Sequence, residues 1–379
     1  MGIEPLTHLG DLPVAEFMRR YWQRRPVLIR RALPDFVAPV TRERLFALAR
    51  RADVESRLVT AFDRWRLRHG PITRLPSPRR RRWTLLVQGV NLHDDGAAAL
   101  LARFRFIADA RLDDLMVSYA TDGGGVGPHI DTYDVFLLQA QGQRRWRIGP
   151  CQDPSLRPGL PLAILRRFTP TRQWVLQPGD ILYLPPGVAH EGVAVGHDCM
   201  TYSIGFRAPA WQELLNPWLD TLAQRWQRQG RYRDPGAPVA RHPARLPPAL
   251  IERTFAIMRT LQPRRRDALR MLLSELTEPK PFVTFESPAR PLSRARFAVH
   301  ASRGSIRLDR RTRLLYAEGW AACNGELFPT DAAERRLLHA LADARSLDGK
   351  SLREAPLPLW NRLWTWYLAG WLHVDGGTK

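Results

Sequence analysis

The stretch PHIDTYD, residues 128–134, follows the glycine-rich run TDGGGVG, residues 121–127. Side chains two positions apart in a strand point to the same face of a sheet. We therefore expect His129 and Asp131 to direct an imidazole and a carboxylate at one place. An imidazole and a carboxylate would supply two of the three protein ligands of a metal site, so the sequence has to be searched for a third.

A second stretch offers the third ligand. QPGDILYLPPGVAHEG, residues 177–192, has the spacing G-x5-P-x-G-x2-H and contains His190, which follows Asp131 by 59 residues. The two stretches, in this order and each in strand-rich sequence, match the halves of a cupin double motif. They predict that His129, Asp131 and His190 form a facial triad, which leaves positions on Fe(II) open for a co-substrate and O2. Of the other histidines, only His197 is an alternative third ligand.

An iron oxygenase of this type uses 2-oxoglutarate, whose far carboxylate needs a cation and usually a hydroxyl group. Arg144 follows His129 by 15 residues on the next predicted strand, and a planar guanidinium can hold a carboxylate with two bonds. Ser118, on the strand before the glycine run, can offer the hydroxyl. The sequence therefore predicts that Arg144 and Ser118 bind the co-substrate.

The first region that the sequence predicts is rich in strands. Residues 115–207 contain short apolar segments separated by turns, which is typical of a barrel or sandwich. Helices are predicted near 41–52 and 96–108, and a strand at 83–91. The predicted strands of the central region are 115–120, 134–140, 144–149, 173–179, 180–186 and 200–206.

The sequence pattern changes from strand-like to helical after residue 208. Three helical patterns are followed by a proline-rich linker at 281–295. The remaining residues favour a winged helix, since helices precede a final apolar strand. The predicted elements are helices within 211–230, 240–261 and 266–279, a hairpin at 306–319, a capped helix at 330–345, and a Trp-rich helix running into a strand at 357–374.

The composition points to a polyanionic partner without establishing one. The net charge is +21, but only three of the 58 basic residues are lysines, so a coding bias toward arginine competes with a functional explanation. No apolar run approaches the ~20 residues of a membrane span, and the N-terminus does not resemble a signal peptide. Three widely spaced cysteines suggest neither a disulfide framework nor a metal site. We expect a cytoplasmic protein with no membrane partner.

Three segments together closely resemble the JmjC-type bacterial ribosomal oxygenases, and among them the arginine hydroxylases of large-subunit ribosomal protein L-sixteen. These segments are residues 113–149, 178–192 and 200–209, and the N-terminal segment 21–33 also resembles the family. The resemblance implies Fe(II), 2-oxoglutarate and O2, and hydroxylation of an arginine side chain at Cβ. It also implies a homodimer built through the helical middle region.

Residue by residue, His129, Asp131 and His190 match the family's iron ligands, and Arg144 matches its 2-oxoglutarate anchor. Two further residues, Asp113 and Ser203, fall in segments that resemble the substrate pocket. A carboxylate there suits a guanidinium substrate, although Asp113 and its neighbour Asp114 could also cap a turn. The turn AQGQRRW, residues 140–146, departs from the family's usual glycine- and arginine-rich version.

The sequence as a whole therefore predicts an α+β protein. A double-stranded β-helix core of the jelly-roll, cupin or JmjC type is expected in residues 1–207, a helical dimerisation domain in 208–280, and a winged-helix domain in 281–379. The predicted partners are L-sixteen, a second copy of the chain, and ribosomal or RNA surroundings.

Other functions stay open at this stage. The same scaffold could hydroxylate histidine, act on another protein, or demethylate lysine. A protein of another class is also conceivable, namely a winged-helix nucleic-acid-binding protein with a non-catalytic cupin domain. Nucleic-acid binding that depends strongly on salt and not on Fe(II) would favour that reading.

Overall fold

The computed structural model describes residues 3–225, 231–233, 235, 245–260 and 264–375, and the structural statements below concern these residues. The N-terminal part forms one large antiparallel sheet with helices packed against it, the middle part is helical, and the C-terminal part combines short strands and helices. No helix in the described ranges is long and apolar enough to cross a membrane.

The N-terminal part ends at Phe206, close to the predicted end of the first domain. Its helices α2 and α3 begin at capping side chains, Thr41 and Asp94, which accept hydrogen bonds from main-chain N–H groups. The elements are β1 (His8–Leu9), β2 (Leu12–Pro13), α1 (Val14–Arg20), β3 (Val27–Ile29), α2 (Arg42–Ala49), β4 (Ser56–Ala61), β5 (Trp65–His69), β6 (Trp83–Val87), α3 (Asp95–Ala102), β7 (Leu112–Ala120), β8 (Asp134–Gly149), β9 (Arg172–Leu176), β10 (Ile181–Leu184) and β11 (Ala189–Phe206).

Nine strands form the sheet in the order β3-β10-β8-β11-β7-β6-β4-β5, and β9 pairs with β8 beside this path. All strand pairs are antiparallel, and β8 pairs with β11 along its whole length. The first half of β8 also pairs with β10 and the second half with β9. The two long strands thus connect two halves of a jelly roll, and the predicted double-stranded β-helix is confirmed.

β8 is one long strand, so the prediction of separate strands at 134–140 and 144–149 was wrong. The two halves meet at Gly142, whose φ is 62°. A Cβ at this position would lie 2.9 Å from the carbonyl oxygen of Asp198 on β11. Because glycine accepts a positive φ without strain and allows this close approach, the strand can bend here without ending.

The two faces of the sheet bury different side chains, because residues alternate along each strand. On β8, Phe136 and Leu138 join an aromatic-rich core with Phe17 of α1 and Tyr183 of β10. The opposite face carries a smaller apolar cluster and encloses the cavity described below. That cluster contains Val135, Leu137, Trp146, Ile148, Leu176, Leu182 and Leu184.

The predicted helix at 96–108 is shorter than expected. α3 ends at Ala102, and the residues after it form turns in which Arg103 and Phe104 donate main-chain hydrogen bonds to carbonyls three residues back. The predicted helix at 211–230 is described to Arg225, and its remainder lies outside the described residues.

The middle and C-terminal parts contain the predicted helices and a winged-helix-like unit. The unit has two three-stranded sheets, in the orders β16-β12-β17 and β13-β14-β15. The elements are α4 (Trp211–Arg225), α5 (Pro248–Thr260), α6 (Arg265–Thr277), α7 (Arg294–Arg303), β12 (Ser305–Leu308), β13 (Leu314–Ala317), β14 (Trp320–Cys323), β15 (Glu326–Pro329), α8 (Ala332–Ala344), β16 (Ser346–Asp348), α9 (Gly349–Leu352), α10 (Leu357–Leu368) and β17 (Leu372–Asp375).

The predicted hairpin at 306–319 does not form. β12 pairs instead with β16 and β17, while β13 pairs with β14. The Trp-rich helix α10 and the final strand β17 lie where the sequence predicts them. Ser274 of α6 donates a 2.8 Å hydrogen bond to the carbonyl of Gly325, so α6 contacts the C-terminal unit. The domain boundaries at 207 and 280 stay predictions.

Arginine side chains join the C-terminal unit to the jelly roll. Each of them donates to main-chain carbonyl oxygens on the other side of the contact, and we call this set the arginine clasp. The clasp consists of Arg105 donating to Ala342 (3.0 Å) and Asp343 (2.6 Å), Arg310 donating to Leu92 (2.9 Å), Arg311 donating to Leu92 (3.1 Å) and Arg313 donating to Asp113 (3.1 Å).

Candidate metal centre and its cavity

His129, Asp131 and His190 converge inside the jelly roll. One ligand atom from each residue lies within 4.8 Å of the other two. Asp131 is placed between the histidines, 3.9 Å from Nε2 of His129 and 3.5 Å from Nε2 of His190. In the part of the chain that the structure describes, no other group of three such side chains comes together in this way.

The main chain holds the three residues in register. His129 and His190 exchange a pair of backbone hydrogen bonds of 3.0 and 2.9 Å, and Gly187 N–H donates to the carbonyl of Asp131 at 2.8 Å. His190 is the second residue of β11, whereas residues 129–131 lie on the connection between β7 and β8. The expectation that a regular strand carries His129 and Asp131 was wrong, because only His129 makes a β-bridge.

Hydrogen bonds also select the tautomer of both histidines. Nδ1 of His129 lies 2.9 Å from the carbonyl oxygen of Gly127, and Nδ1 of His190 lies 2.9 Å from that of Val188. A carbonyl can only accept, so each Nδ1 carries the proton and each Nε2 keeps its lone pair. Both lone pairs are thus free for a metal ion, and the outer hydrogen bonds fix the ring orientation.

Burial keeps His190 neutral. Its side chain is almost completely buried, and this burial, with the neighbouring His129 as a second cause, lowers the pKa of His190 to about 4. A neutral imidazole is the form that binds a metal ion. With the carboxylate of Asp131, the two histidines offer a donor set that suits a divalent cation such as Fe(II).

The triad opens into a cavity of about 220 Å³. Most of its wall is apolar, and the polar side chains come from β4, β6, β7, β8, β11 and the connection between β7 and β8. The lining residues are Arg57, Val59, Leu67, Thr84, Leu86, Met116, Ser118, Val126, His129, Asp131, Tyr133, Val135, Leu137, Arg144, Trp146, Leu162, Ala163, His190, Thr201 and Ser203.

Arg144 is a buried cation in this wall whose hydrogen-bonding capacity is largely unused. Only 4% of the residue is exposed. Its Nη2 lies 3.5 Å from Oγ of Ser118, while its Nε has no hydrogen-bond partner among the described residues. A buried charge without a partner is costly, so this arrangement is one that a bound anion would complete. The cavity therefore offers a candidate metal-binding triad at one place and a buried guanidinium that can accept an anion at another.

Ser203 and Asp113 differ in where they lie. Ser203 lines the cavity, as its position on β11 suggests. Asp113 does not line it, and its carboxylate lies 3.2 Å from both Arg207 and Lys280. Burial alone would raise the pKa of Asp113, but the charges of Lys280 and Arg207 outweigh burial and hold it below its usual value. Its role at a substrate pocket stays a prediction.

The sequence analysis named six of the lining residues, and three of those it missed, Trp146, Tyr133 and Thr201, lie near the predicted ones. Trp146 lies two residues after Arg144 on the same face of β8, and its ring lies 5.9 Å from that of His190. Tyr133 follows Asp131 by two residues, and burial together with the charge of Asp131 raises its pKa. Strand periodicity could have found Trp146 but not Tyr133, which precedes β8. The third, Thr201, lies two residues before Ser203 on β11, so the same periodicity could have found it.

Family models match two parts of the chain in agreement with this architecture. Residues 99–214 match the JmjC domain and residues 259–373 match the ROXA-like winged helix. A model of the AraC-like ligand binding domain matches residues 169–274.

A solved structure of YcfD, described as a ribosomal oxygenase from Escherichia coli, superimposes with a TM-score of 0.85 and 31% sequence identity. The match covers 98% of this chain and 100% of YcfD. The chain belongs to the JmjC-domain ribosomal oxygenases. A YcfD complex with cobalt and 2-oxoglutarate matches with a TM-score of 0.83 and 32% identity, over 97% of this chain and 100% of that one.

Curated ribosomal oxygenases are similar over a shorter stretch. The ribosomal protein uL16 3-hydroxylase of Escherichia coli is 40% identical over 247 residues, which are 64% of this chain and 65% of that protein. A probable ribosomal oxygenase of Haemophilus influenzae is 39% identical over 211 residues, or 53% of this chain and 51% of the relative. The chain thus spans between half and two-thirds of the length of these curated relatives.

The metal site can be tested by removing one ligand at a time. We expect Asp131→Ala and His190→Ala each to weaken Co²⁺ binding by more than about a hundredfold, because losing only an outer partner of a ligand already costs roughly 10–100-fold. Isothermal titration calorimetry of the metal-free protein measures this. His197→Ala is the matched control, since His197 is exposed and lies outside the cavity. Loss of binding in the control, or retention in both triad variants, would contradict the assignment.

Proposed function

We propose that this chain is an Fe(II)- and 2-oxoglutarate-dependent oxygenase that hydroxylates Cβ of an arginine side chain in ribosomal protein uL16, the L-sixteen protein of the large subunit. One observation carries the proposal. A complete metal-binding triad and the incompletely partnered, buried Arg144 face the same cavity. The names of the relatives support the substrate, since the similar protein of Escherichia coli is a uL16 3-hydroxylase.

His129, Asp131 and His190 would hold the iron, and Arg144 with Ser118 would hold the far carboxylate of 2-oxoglutarate. Guanidinium and carboxylate are complementary in charge and in planar geometry, which favours this pairing over a neutral ligand. When bound, iron, 2-oxoglutarate and O2 supply the oxidising power to insert oxygen into a C–H bond, with succinate and CO2 as the other products.

The chain's own residues supply binding, orientation and the exclusion of water. Apolar side chains such as Val59, Leu86 and Leu137 surround the triad, so a reactive site there is shielded from bulk solvent. Trp146 packs near the His190 ring and restrains it. These contacts hold the three ligands in place before any substrate arrives.

The substrate side chain would enter past Ser203 and Tyr133, which line the cavity together with the triad. A hydroxyl at each position can accept a hydrogen bond from a guanidinium. Asp113 would take part only if its ion pairs with Arg207 and Lys280 rearranged. Ribosomes and their assembly intermediates occupy the cytoplasm of bacteria, so we place the reaction there.

We also propose that the enzyme is a homodimer built through the helical middle region. α5 buries none of its side chains within the single chain, and it exposes Ile251, Phe255 and Met258 at helical spacing. α4 likewise exposes Trp211 and Leu215. An uncovered apolar stripe of this kind favours burial against a second copy.

The activity is tested with recombinant uL16, Fe(II), 2-oxoglutarate and O2. Mass spectrometry should find one added oxygen on a single arginine, and its fragment ions should place the oxygen at Cβ. No oxygen should be added by the His129→Ala variant, because it lacks one iron ligand.

Other outcomes would separate the alternatives. Oxygen on histidine would move the assignment to a histidyl hydroxylase. Conversion of 2-oxoglutarate to succinate without modified uL16 would keep the oxygenase and reject the substrate. If iron binds but neither reaction occurs, the enzymatic function is wrong.

Arg144→Met separates anion binding from stability. Removing a buried guanidinium with an unused donor should raise the free energy of unfolding of the ligand-free protein by about 1–3 kcal/mol. The same change should abolish the rise in melting temperature that 2-oxoglutarate and Mn²⁺ together cause in the wild type. Arg147→Met is the control, since Arg147 pairs with Glu191 outside the cavity. An undiminished 2-oxoglutarate shift in Arg144→Met would contradict the anchor role.

The dimer is tested by light scattering after gel filtration. The wild type should have twice the chain mass of 43.4 kDa, and Phe255→Glu should be monomeric because it places a charge in the apolar stripe. Leu357→Glu makes the same kind of change at an exposed position of the C-terminal unit and should stay dimeric. Equal behaviour of the two variants would argue against an interface at α5.

A further inference from the structure

The hairpin of β4 and β5, with the loop that follows it, carries a concentration of positive charge beside the cavity. Residues 57–82 contain nine arginines and one acidic residue, Asp63. This segment is about one-fifteenth of the chain but accounts for more than a third of its net charge of +21. A coding bias acting evenly along the chain does not produce such a local excess.

The hairpin and loop form one continuous surface, which we call the basic edge. β5 is the last strand of the nine-stranded sheet. Arg68 of β5 donates to the carbonyl of Arg74, and the Arg80 guanidinium lies 3.5 Å from the ring centre of Phe62 at the hairpin turn. The loop therefore runs back along β5, and the arginines of both segments are exposed except for Arg57, which is half-buried and faces the cavity.

Few of these charges are neutralised. Arg66 pairs with Asp63 and Arg81 pairs with Asp122. Arg64, Arg74 and Arg79 are exposed and have no carboxylate within 4.0 Å among the described residues, so the basic edge keeps a strong positive field.

The basic edge also adjoins the candidate active site. Arg57 and Leu67, from β4 and β5, line the cavity that contains the triad. At the other end, Arg64 and Arg82 line a second cavity of about 340 Å³, together with Gly123 and Gly127 of the run that precedes His129. Anything bound along this edge would lie next to an entering substrate.

We propose that the basic edge binds RNA, so that the enzyme recognises its substrate protein together with ribosomal RNA. The proposal deepens the proposed function and rests on it for the identity of the protein substrate. A ribosomal protein that binds RNA is itself basic, so a positive surface at the active-site entrance would repel it in the free state. The same surface attracts a substrate whose charge is covered by phosphates. Arginines interleaved with Phe62 and Trp65 also fit a polymer of phosphates and stacking bases better than an acidic peptide.

Fluorescence anisotropy with a labelled 20-nucleotide single-stranded RNA tests the binding. The basic-edge variant is Arg64→Gln/Arg74→Gln/Arg79→Gln, none of which contacts the triad. The control, Arg294→Gln/Arg296→Gln/Arg303→Gln, removes the same charge from exposed positions of α7. We expect the basic-edge variant to bind at least about tenfold more weakly, and its salt dependence to fall by about two in log–log slope, since each lost phosphate contact removes roughly 0.7. The control should bind as the wild type does.

Three results would overturn the proposal. Equal losses in both triple variants would show that total charge, not this surface, binds RNA. Polyglutamate or anionic phosphatidylserine vesicles competing as well as unlabelled RNA would show that any polyanion suffices. Wild-type binding that is unmeasurable at ~0.1 M salt would remove the basis for it.

Measuring kcat/KM with and without RNA tests whether the basic edge affects hydroxylation. It also separates the proposal of RNA recognition from the proposed hydroxylase activity. On uL16 bound to an rRNA fragment, kcat/KM of the basic-edge variant should fall about tenfold, whereas on free uL16 it should not fall and should rise if relief of the repulsion speeds binding. Equal activity on both forms would reject the role of RNA in substrate recognition. The His129→Ala variant should bind RNA normally, so RNA binding without any hydroxylation would reject the proposed activity alone.

Discussion

The pairing of β8 with β11 is the constraint on which the rest of the structure depends. Its register places His190 opposite Ile148 and Arg144 opposite Ala194. The alternation of strand side chains then directs both His190 and Arg144 to the inner face. A shift of one residue would turn each of them outward. The short bridge between His129 and His190 attaches the other two candidate ligands, His129 and Asp131, to this frame.

The polar groups buried at the candidate site lower the stability of the fold. Arg144 is buried with an unused Nε, and His190 is buried in its neutral form. Neither arrangement favours folding by itself, because both remove polar groups from water. The aromatic core on the other face of β8, around Phe17 and Phe136, supplies the apolar burial that offsets this cost. One face of the same strand therefore packs into the large core, while the other combines a smaller apolar cluster with the cavity.

The features that could be predicted from the sequence are those marked by a short motif or by a regular spacing of residues. The positions of His129, Asp131 and His190 followed from two short motifs, and the Trp-rich helix α10 from its periodicity. The hairpin at 306–319 was wrong because the partners of β12 are 40 to 70 residues away, where a local pattern carries no information about pairing. β4 and β5 were not predicted because arginines interrupt their apolar pattern. The unused Nε of Arg144 is a property of its surroundings, which no single-sequence pattern contains.

The arginine clasp has a consequence for how this protein can change over generations. Its donors are side chains, but its acceptors are main-chain carbonyls, such as those of Leu92 and Ala342. A carbonyl stays in place whatever side chain its residue carries, as long as the backbone keeps its path. The residues that supply the acceptors therefore tolerate substitution better than the arginines that supply the donors. Substitutions at Leu92 or Ala342 leave the bonds intact, whereas the arginines that reach them have no equivalent, since lysine cannot reproduce the planar fork.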